Sequence, residues 1–313
     1  MARALTVPMP FHTPFYAPLV AGVGLGHFAQ EDLEVTVVPA ASYPRGTMQA
    51  LLDGEIEICL GGLMRSFELA DRTGRVVTHF AEVCSRSGFF LLARQPMPRF
   101  KFQDLIGKTV IGFAEAPTPW QCLLTVLRRA AVDPARVRIE RDRPLADAIA
   151  AFRAGEGDFL ETTQPAVEEL VAAGVAHVAV SMGEATGPVP FTSYMATPEL
   201  LAREPDLVRR FLRAVYRTQR WLAGSEAADV ARVMAPAFPT VEATLLGRVA
   251  ARFMRQHTWS RDPLLRRGGY AYLQEILLAG RFIQRAHPYG ALVNTTYARE
   301  VMAAERAAGE GRR

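Results

Sequence analysis

Along the first sixty-two residues the spacing of hydrophobic positions changes in a fixed order. Leu5 to Pro8 is a short apolar run, Pro14 to Phe28 is compatible with a helix, and Leu33-Glu-Val-Thr-Val-Val38 alternates with the period of a strand. Ala50-Leu-Leu-Asp-Gly-Glu-Ile-Glu-Ile-Cys-Leu-Gly-Gly62 then reads as a helix end, a glycine able to take the left-handed cap conformation, an acidic pair and a short strand ending in small residues. The same order returns downstream. Lys108-Thr-Val-Ile-Gly-Phe113 is a strand, Pro117 to Ala131 a helix and Val137-Arg-Ile139 a strand, and Ala151-Phe-Arg-Ala-Gly-Glu-Gly-Asp-Phe-Leu-Glu-Thr-Thr163 repeats the capped helix and strand around Gly155. Both units are therefore βαβαβ. Such units build parallel sheets whose ligands lie at the carboxyl ends of the strands, so the predicted fold class is α/β, two lobes with a cleft between them.

Two further segments join the units. Ser87-Gly-Phe-Phe-Leu-Leu-Ala-Arg94 runs into Gln95-Pro-Met-Pro98, and Gly187-Pro-Val-Pro-Phe-Thr-Ser-Tyr-Met-Ala-Thr-Pro198 has the same short apolar run between Gly and Pro. These predict two hinge crossings, with the chain leaving lobe one near residue 93 and returning near 194. Residues 1–92 and 195–313 would form lobe one and residues 93–194 lobe two. The alternative is that both segments are plain core strands of one sheet. After Pro198 the pattern is helical: 199–223, a helix after Ser225, then 240–257, 270–284 and 295–308 capped by Asn294 or Thr295. This tail is expected to pack on lobe one, with its arginines forming a solvated face.

Composition narrows the class. A chain of 313 residues at 50% hydrophobic content can bury a large core, and a mean hydropathy of +0.07 with no run of about 20 apolar residues excludes membrane-spanning helices. The net charge of +4, without an arginine run interleaved with aromatics, gives no nucleic-acid signature. Cys59, Cys84 and Cys122 are odd in number and lack metal spacing, so buried free thiols are expected, with no disulfide framework and no metal. Gly107-Lys-Thr109 lacks the upstream glycine of a phosphate loop, since Phe102 stands there. Gly22-Val-Gly-Leu-Gly26 lacks dinucleotide spacing and reads as packing or capping. The sequence contains no nucleophile elbow or zinc-protease motif, and a structural role is expected of His27, His79, His177, His257 and His287.

Several segments resemble a known family. Gly-His-Phe-Ala-Gln-Glu-Asp-Leu-Glu-Val within residues 22–38, Asp104-Leu-Ile-Gly-Lys-Thr-Val-Ile-Gly112, Ala131-Val-Asp-Pro-Ala-Arg-Val137, Tyr194-Met-Ala-Thr-Pro-Glu-Leu-Leu and Pro205-Asp-Leu-Val-Arg-Arg-Phe-Leu-Arg-Ala214 are similar, in order and spacing, to the substrate-binding proteins of ABC transporters for nitrate, sulfonates, taurine and thiamine-pyrimidine precursors. The resemblance covers most of residues 5–223. It implies a type II periplasmic-binding-protein fold that closes on a small molecule, an ABC permease as partner, no cofactor and a monomer. Met1-Ala-Arg-Ala-Leu enters the first strand with no apolar segment or cleavage site ahead of it, so a periplasmic location is expected where an export signal has been trimmed and a cytoplasmic one where Met1 is the native start. Same-fold enzymes of thiamine and menaquinone biosynthesis are the alternative. The yeast-type pyrimidine synthases have a cysteine-rich motif and a cofactor lysine, and neither has a matching position here, where Lys101 and Lys108 are the only lysines.

Strand ends and helix starts supply the candidate ligand contacts. From lobe one these are Phe11, His12, Thr13 and Phe15, then Ser42 and Tyr43, then Gly61, Gly62 and Arg65. From lobe two they are Ala116, Thr118, Trp120 and Gln121, then Glu161, Thr162 and Gln164. Trp120 offers a ring for stacking, Arg65 a fork for an anion, and Glu161 an acceptor for an amino-heterocycle. Two functions follow. The preferred one is a binder without catalytic residues, closing on an amino-pyrimidine-like heterocycle or an organic anion; the alternative is an enzyme using Glu161 or His12 as acid or base.

Overall fold

The computed structural model describes residues 2–310. The first unit comprises β1 (Arg3–Met9), α1 (Ala17–Gly24), β2 (Leu33–Pro39), α2 (Thr47–Leu52), β3 (Cys59–Gly61), α3 (Leu63–Thr73) and β4 (Thr78–Cys84). The second comprises β5 (Phe89–Ala93), β6 (Thr109–Ile111), α4 (Pro117–Arg129), β7 (Arg138–Glu140), α5 (Leu145–Arg153), β8 (Phe159–Thr163), α6 (Ala166–Ala172), β9 (His177–Ser181) and α7 (Met182–Thr186). After β10 (Thr192–Ala196) come α8 (Pro198–Arg203), α9 (Pro205–Gly224), α10 (Ala227–Met234), α11 (Ala243–Arg255), α12 (Arg267–Ala279), α13 (Tyr289–Leu292) and α14 (Thr296–Glu310).

The strands of the two lobes follow one plan, although those of lobe one divide into a two-stranded sheet, β1-β2, and a three-stranded one, β3-β10-β4. In lobe two the strand order is β7-β6-β8-β5-β9, with β6, β7 and β8 parallel and β5 antiparallel to both neighbours. In lobe one β2 pairs parallel with β1, β1 lies against β3, and β10 runs antiparallel between β3 and β4. Each lobe thus contains one central antiparallel strand, β10 or β5, that the chain enters directly from the other lobe. Gly54 and Gly155 both take left-handed φ, +76° and +102°, at the equivalent turns, as the repeated motif required.

This relocates the crossings. The segments expected to bridge the lobes near 93 and 194 are strands inside the sheets, β5 and β10, because their apolar side chains are buried on both faces. The bridging backbone is shorter and earlier, at residues 85–88 and 187–191. There the Val189 N–H donates to the Ser85 carbonyl at 2.9 Å and the Phe191 N–H to Cys84 at 2.8 Å, tying the crossings side by side. They do not belong to one sheet.

Local chemistry trims the predicted helices. The helix expected over 14–28 becomes a 3-10 turn at Pro14–Tyr16, capped by Thr13, followed by α1 ending at Gly24. Phe28 folds back on Gly22, where a Cβ would stand 2.7 Å from the ring, so packing explains this glycine-rich stretch. The 199–223 helix divides at Glu204, since Pro205 cannot donate into a continuing helix. Ser225 is not the N-cap of α10; its hydroxyl donates to the Trp221 carbonyl, and Glu226 takes the cap position. At α14 the Asn294 side chain accepts from the Thr296 N–H.

The tail departs from expectation in one respect. Helices α9 and α14 pack on lobe one, but α11 and α12 reach across to lobe two. Arg252 on α11 donates to Glu168 on α6, a carboxylate only 3% exposed, and Gln256 donates to the Ser87 carbonyl at 2.9 Å while accepting from Ser181. On α12, Tyr272 accepts from Arg129 at 3.0 Å and the Gly280 carbonyl accepts from Gln121 at 3.4 Å. The tail is a third connection between the lobes. Glu168→Ala would leave Arg252 facing α6 without its acceptor and is expected to lower stability by about 2 kcal/mol in chemical denaturation, with Glu168→Gln losing less.

Candidate functional site

The carboxyl ends of strands in both lobes open onto one cleft of about 320 Å³, within the range of small-molecule sites. Lobe one supplies the turn after β1, the start of α2, and the β3–α3 junction at Gly61, Gly62, Met64 and Arg65. Lobe two supplies Glu115, Ala116, Thr118 and Pro119 where α4 begins, and Thr163 where β8 ends. Phe89 and Phe191, flanking the crossings, form the floor. A broader groove of about 1010 Å³ runs past Arg3, Asp53 and Arg203 at the opposite, amino end of the lobe-one strands, away from the interlobe space.

Hydroxyls stitch the walls together. Thr13 Oγ1 donates to the Gln164 carbonyl at 2.6 Å across the lobes, and Thr163 Oγ1 donates to the Gly88 carbonyl at 2.8 Å. The Phe15 ring lies flat against Gly88, where a Cβ would sit 2.3 Å from the ring, and the Phe15 carbonyl accepts from Cys84 Sγ and, at 3.0 Å, from Trp259 Nε1. Arg65 spans the mouth: Nη1 holds Glu68 at 2.9 Å, and Nη2 reaches the Glu115 carbonyl on lobe two at 3.4 Å. The Glu115 carboxylate accepts from the Leu145 N–H at 3.0 Å and caps α5. Cys59 also lines the cleft, but burial pushes its thiol up to about 11, so it stays protonated.

Of the residues singled out from sequence, Phe11, Thr13, Phe15, Gly61, Gly62, Arg65, Ala116 and Thr118 line the cleft. The others are drawn elsewhere. His12 turns away to donate from Nε2 to the Ala237 carbonyl at 2.9 Å and packs on Phe238. Ser42 is exposed on a 3-10 turn, and Tyr43 leans on the small core around Leu51 and Met195. Trp120 lies beneath the Arg141 guanidinium, 3.8 Å from its ring centroid, because the α4 periodicity turns position 120 away from the cleft that Thr118 and Pro119 face. Gln121 is buried against Gly280. Thr162 is buried on the opposite face of β8 from Thr163, and Gln164 spends its side-chain oxygen on the Glu168 N–H.

Glu161 is the largest correction. Two residues before the cleft-lining Thr163, it sits deeper in β8, fully buried beside Cys122 of α4, one carboxyl oxygen without a partner. Burial pushes its carboxyl up to about 8. Met48, Met64, Glu115, Pro119, Phe89, Phe191 and Met195 also line the cleft, although local sequence spacing did not single them out. For two of these a signal existed: each segment joining the units carries a phenylalanine beside its crossing.

A raised folded-state pKa means that the folded protein holds the Glu161 proton more tightly than the unfolded chain. Its stabilising contribution is full below the ordinary carboxyl range and is lost as pH rises toward about 8. The melting temperature of Glu161→Gln relative to the parent should therefore climb between about pH 5 and about pH 8, measured by calorimetry. Gly88→Ala is expected to cost about 1–3 kcal/mol, because the new methyl group drives Phe15 toward the cleft.

Residues 12–225 match the family model described as NMT1/THI5 like. The putative binding protein YtlA of Bacillus subtilis (strain 168) is 29% identical over 292 residues, covering 93% of this chain and 87% of YtlA. The alkanesulfonate-binding protein SsuA from Xanthomonas axonopodis pv. citri, solved with MOPS, superimposes with a TM-score of 0.71 at 17% identity, covering 95% of this chain and all of SsuA. The desulfurization enzyme DSZB superimposes at 0.70 and 16% identity, covering 97% of this chain and 99% of DSZB. At such identities these structures share the fold, which is the two-lobed type II periplasmic-binding-protein architecture that the family resemblance implied. With the family model spanning more than half of its length, and its fold repeated in these structures, the chain belongs to the NMT1/THI5-like family.

Proposed function

We propose that this protein is a non-catalytic solute-binding protein, acting as a monomer, that closes its lobes on a small organic molecule and delivers it to an ABC-type import permease. The observation that carries this reading is the composition of the cleft. Both lobes contribute strand ends and helix starts to one enclosed space, while the two residues considered for acid–base work, His12 and Glu161, are held outside it. The name of YtlA points the same way, toward binding, and that of SsuA toward a sulfonate-like guest. In this reading lobe one comprises residues up to 84 and from 192, lobe two comprises residues 89–186, and the α11–α12 strap limits how far they part.

An enzyme of the DSZB type is the second reading. Against it, the thiol in the cleft is kept protonated by burial and the Glu115 carboxylate is already engaged as a cap. Native mass spectrometry of the protein purified from its own host should find one small molecule per chain. Saturating ligand at about 100 times its Kd should add about 2.7 kcal/mol of stability. Recovery of the molecule chemically unchanged after prolonged incubation is expected; conversion to a product would remove the binder reading.

A further inference from the structure

Resting on the binder reading, we propose that the guest is a monoanionic acid with an aromatic body, held with its charged head on lobe one and its ring against the floor between the lobes. The asymmetry begins in two helix starts that face each other across the cleft. Helix α3 starts after Gly62 with no side-chain cap, and its first-turn residues Met64 and Arg65 line the cleft. Helix α4 begins Pro117-Thr118-Pro119, and two of its first three positions therefore lack an N–H altogether. What lobe two retains is Thr118, 5% exposed, lining the cleft, with a hydroxyl that bonds to no other described residue.

Charge sharpens the assignment. Arg65 is the cation in the cleft lining, and its long 3.4 Å bond to the Glu115 carbonyl is readily exchanged for a shorter, charge-assisted one to a ligand oxygen. The Glu115 carboxylate on the facing wall disfavours a second negative charge on the guest. The rest of the lining mixes the hydroxyls of Thr13, Thr47, Thr163 and Thr192 with the rings of Phe11, Phe15, Phe89 and Phe191 and the thioethers of Met64 and Met195. The ring centroids of Phe15 and Phe89 lie 6.0 and 6.1 Å from that of Phe191, forming one aromatic cluster along the cleft, and another ring set against it gains aromatic and sulfur–aromatic contact. An inorganic oxyanion would use the α3 end and leave this box without a partner.

Calorimetric titration separates the parts. The probes are 2-naphthoate and naphthalene-2-sulfonate as acids with one ring system, 2-naphthamide as their neutral counterpart, and nitrate and taurine as guests without an aromatic body. At least one naphthalene acid should saturate a single site, with 2-naphthamide about tenfold weaker and nitrate and taurine failing to compete. Arg65→Ala should weaken the acid about tenfold while moving the amide far less, and Arg65→Lys should recover part of the loss. Nitrate or taurine binding as tightly as the acids, an acid indifferent to Arg65→Ala, or no binding by either acid would overturn the proposal. The co-purified molecule identified by mass spectrometry judges the broader binder reading separately.

Discussion

The two backbone hydrogen bonds between the crossings, from Val189 to Ser85 and from Phe191 to Cys84, hold the geometry on which the cleft depends. They fix where each strand enters the other lobe's sheet, and so where Phe89 and Phe191 emerge at the floor. Phe15 completes the constraint by packing on Gly88, where a Cβ would stand 2.3 Å from the ring and force it to shift. Its carbonyl is held by Cys84 and Trp259, which join the turn after β1 to both a sheet and the tail. The cleft-lining turn after β1 is therefore positioned by the same contacts that tie the crossings.

A hinge of two adjacent segments would by itself permit wide rotation. The helical tail restrains it. Glu168, Gln121 and Ser181 belong to lobe two yet find their partners on α11, in the turn after it, or just after α12. The buried polar groups elsewhere serve the same end of fixing packing. His79 bridges Ser193 and Ser66 at 2.6 and 2.8 Å, and burial lowers its pKa to about 3, so it remains a neutral strut. Glu82, raised to about 7 by burial, accepts from Ser260 at 2.9 Å and ties β4 to the segment between α11 and α12. Each such residue links a strand of the sheet to something distant in sequence.

The character of the cleft lining differs between the lobes as a consequence. Lobe one contributes the uncapped start of α3 with Arg65, lobe two contributes the Pro117-Thr118-Pro119 start of α4, and Phe89 and Phe191 lie between them. A closed cleft of this kind removes water from around the guest, which strengthens the few polar contacts that remain.

The sequence determined what depends on local spacing: the repeated βαβαβ order, the left-handed turns at Gly54 and Gly155, the free cysteines, and the placing of Thr13, Gly61, Gly62, Arg65 and Thr118 at ends of elements. These follow from short-range periodicity and backbone sterics, which a single segment carries by itself. Tertiary structure decided the rest. Nothing local distinguishes a bridging strand from one exchanged into the other sheet, a tail resting on one lobe from one strapped to both, or a strand-end glutamate facing a ligand from one buried two residues deeper, as Glu161 is. Those outcomes turn on which distant surface covers a residue, and burial, unlike periodicity, belongs to the assembled molecule.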